Sequence, residues 1–319
     1  MGSRVNYAVI RDGSHTLYFH GGGAGDSLDY LFAPGPDVVL RWIAQLGEQV
    51  TGEWLTDPLC TGGVLIDTDR RVLLLFANLL GDYAYRAAVL DAFRRTWPGW
   101  EIRWAYDGVA DLITYVGGDP AAARVPLDAP RLPRYDGHDP ELPLTALVTV
   151  AGEQGCRAYG LSPDLADAQP FRAGPALVDW LAAGEPLEWC DEIPGTGLHL
   201  DPATRTAGLW SIRPLRGLRE AWPALWPGWT LDFWGDAHIR QVALCPDVLD
   251  EVPPVLVEPG LRELARRLVD LWPVRSALAE AGLDVDQLYV RDVGGMRAML
   301  DVGLTADELA RTVDAVMGR

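Results

Sequence analysis

Trp97-Pro98-Gly99-Trp100 recurs as Trp226-Pro227-Gly228-Trp229, and the residues around the two copies match in the same order. The first copy is followed by Glu101-Ile102-Arg103-Trp104 and Asp107, the second by Thr230-Leu231-Asp232-Phe233 and Asp236. Upstream, Gly63-Val64-Leu65-Ile66-Asp67 answers to Gly197-Leu198-His199-Leu200-Asp201, Glu53-Trp54 to Glu188-Trp189, and Gly35-Pro36 to Gly174-Pro175. Ordered matches that include tryptophan are improbable by chance, and internal repetition decides architecture before any local pattern does. The sequence therefore predicts one unit used twice.

The tetrapeptide itself has a structural reading. Proline ends the preceding helix, glycine takes the left-handed conformation after it, and the second tryptophan starts a strand and fills core volume. Asp67 and Asp201 fall at strand ends, where a carboxylate bonds turn amides.

Around this anchor the first half reads as strand, strand, helix, strand, strand, helix, strand. Tyr7 to Arg11 and Thr16 to Phe19 alternate about Asp12-Gly13 as a hairpin. Pro36 opens a helix through Leu46, Gly63 to Asp67 and Arg71 to Phe76 form a second hairpin, and Tyr83 to Thr96 is helical before the strand Trp100 to Ala105. The second half repeats the order from Leu144 to Trp234, with His238 to Cys245 as a possible extra strand. The expected fold class is α+β: two tandem duplicated half-domains, each a mainly antiparallel sheet with helices on one face, related by pseudo-twofold symmetry and followed by a small C-terminal helical segment. The boundaries are 1–118 for the first repeat, 119–143 for a Pro-rich linker, 144–250 for the second repeat and 251–319 for the helical module. In that module Leu261, Leu264, Leu268 and Leu271 form one stripe, and Thr305 to Glu308 is a capping box.

Composition excludes several chemistries. The chain has 319 residues, a net charge of −18, and no lysine, so all 27 basic residues are arginine. Such a composition, rich also in Ala, Gly, Pro and Asp, fits codon bias in a G-C-rich bacterial genome. Schiff-base catalysis, pyridoxal phosphate attachment, the phosphate-loop lysine and the kinase strand lysine all need an amine that is missing. The acidic balance argues against nucleic acid as a partner. No apolar run reaches the ~18 residues of a membrane span, so no membrane partner is expected. Cys60, Cys156, Cys190 and Cys245 are far apart with no Cys-x-x-Cys pair, and the first residues lack a secretory plan, which predicts a cytoplasmic protein with reduced thiols.

Function is expected where the copies differ, since a duplicated unit needs only one site. The clearest asymmetry is His20-Gly21-Gly22-Gly23-Ala24-Gly25-Asp26, which has no counterpart after Tyr159-Gly160. His20 to Gly23 is similar to the oxyanion-hole segment of lipases and esterases, but the Gly-x-Ser-x-Gly nucleophile of that family is absent. Asp26 stands where a dinucleotide fingerprint needs its third glycine. Asp82, Tyr83, Tyr85 and Arg86 also lack repeat partners, and an aromatic set with arginine is typical of binding hot spots. For catalysis the candidates are His238 with Asp236 as an oriented base, and Asp107 with Asp111 four apart on one helical face. No histidine or cysteine spacing predicts a metal site, and no cofactor is expected.

The leading expectation is an acidic binding protein, immunity- or antitoxin-like, that recognises a basic protein partner through Asp82, Tyr83, Tyr85, Arg86 or the His20 to Asp26 loop. The alternative is an enzyme, a hydrolase or tailoring enzyme, with a carboxylate and histidine site at the interface of the repeats.

Overall fold

Asp12 and Gly13 both take positive φ, 53° and 74°, the two-residue turn whose twist matches paired strands. It joins β1 (Arg4–Arg11) to β2 (Ser14–Gly21), with Arg11 opposite Ser14. The structure, a computed structural model, describes residues 4–21, 27–46, 53–78, 80–124, 144–153, 155–161, 170–188, 190, 193–249, 255–280 and 304–319. After β2 come α1 (Leu28–Phe32), α2 (Pro36–Ile43), β3 (Gly62–Asp67), β4 (Val72–Ala77), α3 (Tyr83–Thr96), β5 (Glu101–Trp104) and α4 (Val109–Tyr115). The second series is β6 (Ala146–Gly152), β7 (Gly155–Leu161), α5 (Ala176–Ala182), β8 (Thr196–Asp201), β9 (Thr206–Ser211), α6 (Leu218–Leu225), β10 (Thr230–Phe233), α7 (Ile239–Leu244) and α8 (Pro246–Leu249). Among the described residues, the C-terminal helices α9 (Val257–Glu280) and α10 (Ala306–Met317) follow.

The fold is mixed α+β with two five-stranded sheets, ordered β2-β1-β3-β4-β5 and β7-β6-β8-β9-β10. The strand order is the same in both. The sheets are mixed rather than mainly antiparallel: β1 with β3 and β4 with β5 are parallel, as are β6 with β8 and β9 with β10. Each parallel pair brackets a helical crossover, α1 and α2 between β1 and β3 and α3 between β4 and β5, which a hairpin cannot replace.

Helices cover both faces of the first sheet, not one. A Cβ on Gly62 would meet Leu28 of α1, while one on Gly63 would meet Leu112 of α4 and the Phe76 ring. Successive strand residues point to opposite faces, so the two helices lie on opposite sides. Every residue of β3 and β4 is accordingly buried, the mark of central strands covered twice.

The expected strand at His238 to Cys245 is helical. Only Gln241 and Cys245 are fully buried in it, four residues apart, so burial follows the helical period and not alternation.

Two compact units divide the chain: Met1–Val125 together with Val255–Arg319, and Pro126–Pro254. The C-terminal helices thus fold with the first unit. On α9, Leu261, Leu264 and Leu268 are buried in the first core, and a Cβ on Gly260 would come within 2.6 Å of the Ala88 Cβ, so α9 lies close against α3. The stripe packs against a helical layer. Thr305 and Glu308 form the capping box at the start of α10, with the Glu308 amide donating to the Thr305 hydroxyl at 3.2 Å. At the predicted linker, Asp119 caps a short turn over Pro120–Ala123 within the first unit, and residues 125–143 lie outside the described ones.

The repeated tetrapeptide does the same thing twice. Trp97 and Trp226 cap α3 and α6 and are fully buried, and their indole N–H groups donate to the carbonyls of Phe32 (2.8 Å) and Phe171 (2.6 Å). Gly99 and Gly228 have φ of 79° and 78°. The Glu101 and Thr230 amides then donate to Arg71 and Arg205, at 2.8 and 2.9 Å, and open β5 and β10. It is the first tryptophan of each motif that fills the core. Trp100 and Trp229 are only half-buried and meet it edge-on, with ring centroids 5.0 and 5.2 Å apart, because a short edge strand leaves one flank of its first residue open. Asp67 and Asp201 each accept from two turn amides, as expected.

Candidate functional site

Aligned through their ladders, the two sheets differ most on one face. In the first, a row across the strands reads Ala8, Leu65, Leu74 and Arg103. The same row in the second reads Thr149, His199, Gly208 and Asp232. Next to it, Gly63 faces Phe76 under Leu112, whereas Gly197 faces Trp210 under Gln241 of α7. Where the first unit has Ala8 and Leu65 the second has Thr149 and His199, under a helix that places Gln241 against the sheet.

Trp210, Gln241, Thr149 and His199 form one buried hydrogen-bonded set. The Trp210 indole N–H can only donate, so Gln241 Oε1 takes it at 2.7 Å. Gln241 Nε2 then faces the carbonyls of Leu147 and Leu198, both at 3.2 Å, and the Thr149 hydroxyl at 3.0 Å. Thr149 is buried, and its hydroxyl lies 2.9 Å from His199 Nδ1 as well as 3.0 Å from Gln241 Nε2. Burial lowers the His199 pKa, against a smaller opposing pull from Asp201.

The absence of a side chain at Gly208 makes room for Trp234. A Cβ on Gly208 would lie 1.8 Å from the indole, which also stacks beside His199 at 6.4 Å. Its N–H donates to Asp232 Oδ2 at 2.7 Å, Arg240 bridges to the same oxygen at 2.8 Å, and the guanidinium sits 4.7 Å above the ring. This His199, Asp232, Trp234 and Arg240 cluster runs from a buried imidazole to an exposed ion pair. It can hold a shape and a charge pattern, with His199 Nδ1 engaged by Thr149.

The catalytic candidates from the sequence fall in different units, Asp107 and Asp111 in the first and His238 and Asp236 in the second. His238 precedes α7, half-buried, its ring edge-on to Trp210 at 6.0 Å; burial lowers its pKa and Asp236 opposes that. Asp107 and Asp111 do meet, but Asp111 accepts from the Asp107 amide at 2.8 Å, and Asp107 is buried against Arg124 at 2.8 Å. The unrepeated set has structural contacts in the first unit. Asp82 caps α3 by accepting from the Tyr85 amide at 2.6 Å, Tyr83 is half-buried, and Arg86 is buried with its guanidinium 4.2 Å over Trp104. Tyr85 donates to the buried Asp29 at 2.6 Å. Arg267 of α9 pairs with the same Asp29 oxygen and donates to the Tyr85 hydroxyl at 3.1 Å. Burial pushes the Asp29 carboxyl up, with Arg267, Tyr85 and backbone amides acting against it. His20 and Gly21 end β2, and Gly22, Gly23 and Asp26 lie outside the described residues.

Sequence reasoning did not single out Thr149, Gln241, Trp234, Asp29 or Arg267. The signal for the first group was present, since His199 stands against Leu65 in the matched strands. Cys156 and Cys245 are joined as a disulfide, where reduced thiols were expected; α7 brings together two residues 89 apart that no spacing rule would pair. Among the described residues, no group of three or more His, Cys, Asp or Glu is placed to hold a metal ion, and no helix is long and apolar enough to cross a membrane. Comparison with protein-family models, with curated proteins and with solved structures gives no significant match.

Proposed function

We propose that the chain holds one folding unit twice and acts as an acidic binding protein, immunity- or antitoxin-like, whose partner is a basic protein. The charge balance carries this reading: 45 carboxylates stand against 27 arginines. Many of those arginines are committed to the chain's own carboxylates, as in Arg41 with Glu308, Arg95 with Asp91, Arg124 with Asp107 and Arg240 with Asp232. The uncompensated carboxylates generate a field that steers a basic partner inward and repels an acidic one. Affinity capture from the native host followed by association kinetics tests it. Association should slow steeply from low salt, where the screening length is ~30 Å, to physiological salt, where it is ~8 Å. A salt-insensitive association rate would overturn the reading.

A second reading, a hydrolase or tailoring enzyme, has one observation in its favour. His238 is kept in its neutral form by burial with Asp236 close enough to act on it, the condition for a general base. A turnover that falls on His238→Ala without loss of the fold would move the assignment there.

A further inference from the structure

A pocket of about 390 Å³ opens in the second unit between the end of β7 and the end of α5, lined by Tyr159, Gly160, Leu161, Trp180, Leu181 and Glu185 among others. Tyr159, Leu161 and Leu181 are buried and form its floor, Trp180 is half-exposed, and Glu185 is exposed. The pocket therefore has an apolar interior, an aromatic wall and a carboxylate at its rim.

The strand contributes more than side chains. Among the described residues β7 is the edge strand of its sheet, bridged on its outer side at Ala158 by Leu187. The Leu161 carbonyl turns inward to the Thr145 amide at 2.9 Å, and the Ala158 carbonyl turns outward to the Leu187 amide at 2.8 Å. Alternation along the strand then points the Gly160 amide and carbonyl outward, toward the pocket it lines. Among the described residues neither group has a partner. In the first unit the same ladder position is Phe19, opposite Asn6 as Gly160 is opposite Leu147. The second copy has a bare backbone where the first has an aromatic side chain.

We propose that this pocket binds a cationic group carried on an apolar stem, an alkylguanidinium above all. The stem packs on Leu161 and Leu181, the planar cation lies against Trp180, and Glu185 pairs with its charge. The proposal deepens the binding reading, because an arginine of a basic partner carries this group; a free small-molecule cation carries it too. An arginine presented on an extended strand would also reach the outward Gly160 backbone.

The test titrates n-butylguanidinium and its neutral isostere n-butylurea into the full chain and into Glu185→Gln, by calorimetry or ligand-observed NMR. The expected result is at least a tenfold preference for the cation, lost in Glu185→Gln. That variant removes one of 45 carboxylates, so the loss reports a site and not the general field of the protein. Equal binding of the two probes, binding of neither, or a preference that survives Glu185→Gln would overturn the proposal. A second arm compares acetyl-Ala-Arg-Ala-amide with its citrulline counterpart. Arginine peptide binding tenfold or more tighter than n-butylguanidinium assigns the cation to a polypeptide partner, and equal binding assigns it to a small molecule; both support the pocket. Failure here leaves partner capture untouched, and failure of partner capture leaves the pocket standing.

Discussion

Arg267 pairs with Asp29, a buried carboxylate 238 residues earlier in the chain. The pair fastens α9 to α1 with Tyr85 as a third member, and the Arg267 guanidinium also lies 5.0 Å over the Tyr30 ring. Arg267→Ala should destabilise the first unit by ~3–5 kcal/mol, since it strands a buried charge. Adding Asp29→Asn should recover part of the loss. A chemical-denaturation double-mutant cycle measures it, and strict additivity would show that the two do not interact.

Trp97→Ala and Trp226→Ala should each cost ~3–5 kcal/mol, the usual loss for a fully buried aromatic. Trp100→Ala and Trp229→Ala should cost less, because both rings are half-exposed. Thermal melts of the four variants decide the order. The reverse ranking would contradict the assignment of core volume to the first tryptophan.

The disulfide between Cys156 and Cys245 closes a long loop within the second unit. In the chain-entropy picture its contribution is about 4–5 kcal/mol at that loop length. A reductant should lower the melting transition of the second unit and leave that of the first unchanged. A melt indifferent to reductant, with all four thiols titratable after unfolding, would show that the bond does not form.

Burial lowers the pKa of both His199 and His238. The unfolded state then binds protons first as pH falls, so stability is fully present above the unfolded value near ~6.5 and is lost between there and the lower folded values. The slope in that window has an upper bound of about 1.4 kcal/mol per pH unit for each histidine. Denaturant midpoints between neutral and mildly acid pH measure it. Thr149→Ala with His199→Leu recreates the Ala8 and Leu65 row of the first unit and should remove one histidine's share.

The mixed α+β architecture was legible in the sequence because the matched stretches carry the same signals twice. Helix caps, turn glycines and strand order could each be checked against a second copy. Two features were not legible. Parallel pairing is set by which strands a crossover brings together, and alternation within a strand says nothing of its neighbour's direction. α7 was misread because Ile239, Val242 and Leu244 are apolar yet not buried, so they obscured the period set by Gln241 and Cys245. Of the site, the unrepeated residues were visible as asymmetries, but whether each faces solvent or a buried partner depends on contacts such as Arg86 over Trp104 that no local pattern encodes.

The first unit is assembled from both ends of the chain, and the second from one uninterrupted stretch between them. A ribosome therefore finishes the second unit before the first has its last helices. At roughly 5–20 residues per second, the wait from Val125 to the start of α9 is on the order of seven to twenty-six seconds. During it the faces of α3 and α1 that Leu261, Leu264 and Leu268 will cover stand open to water. A nascent chain halted before α9 should thus engage hydrophobic-patch chaperones, and release them once the helix carrying Arg267 has emerged.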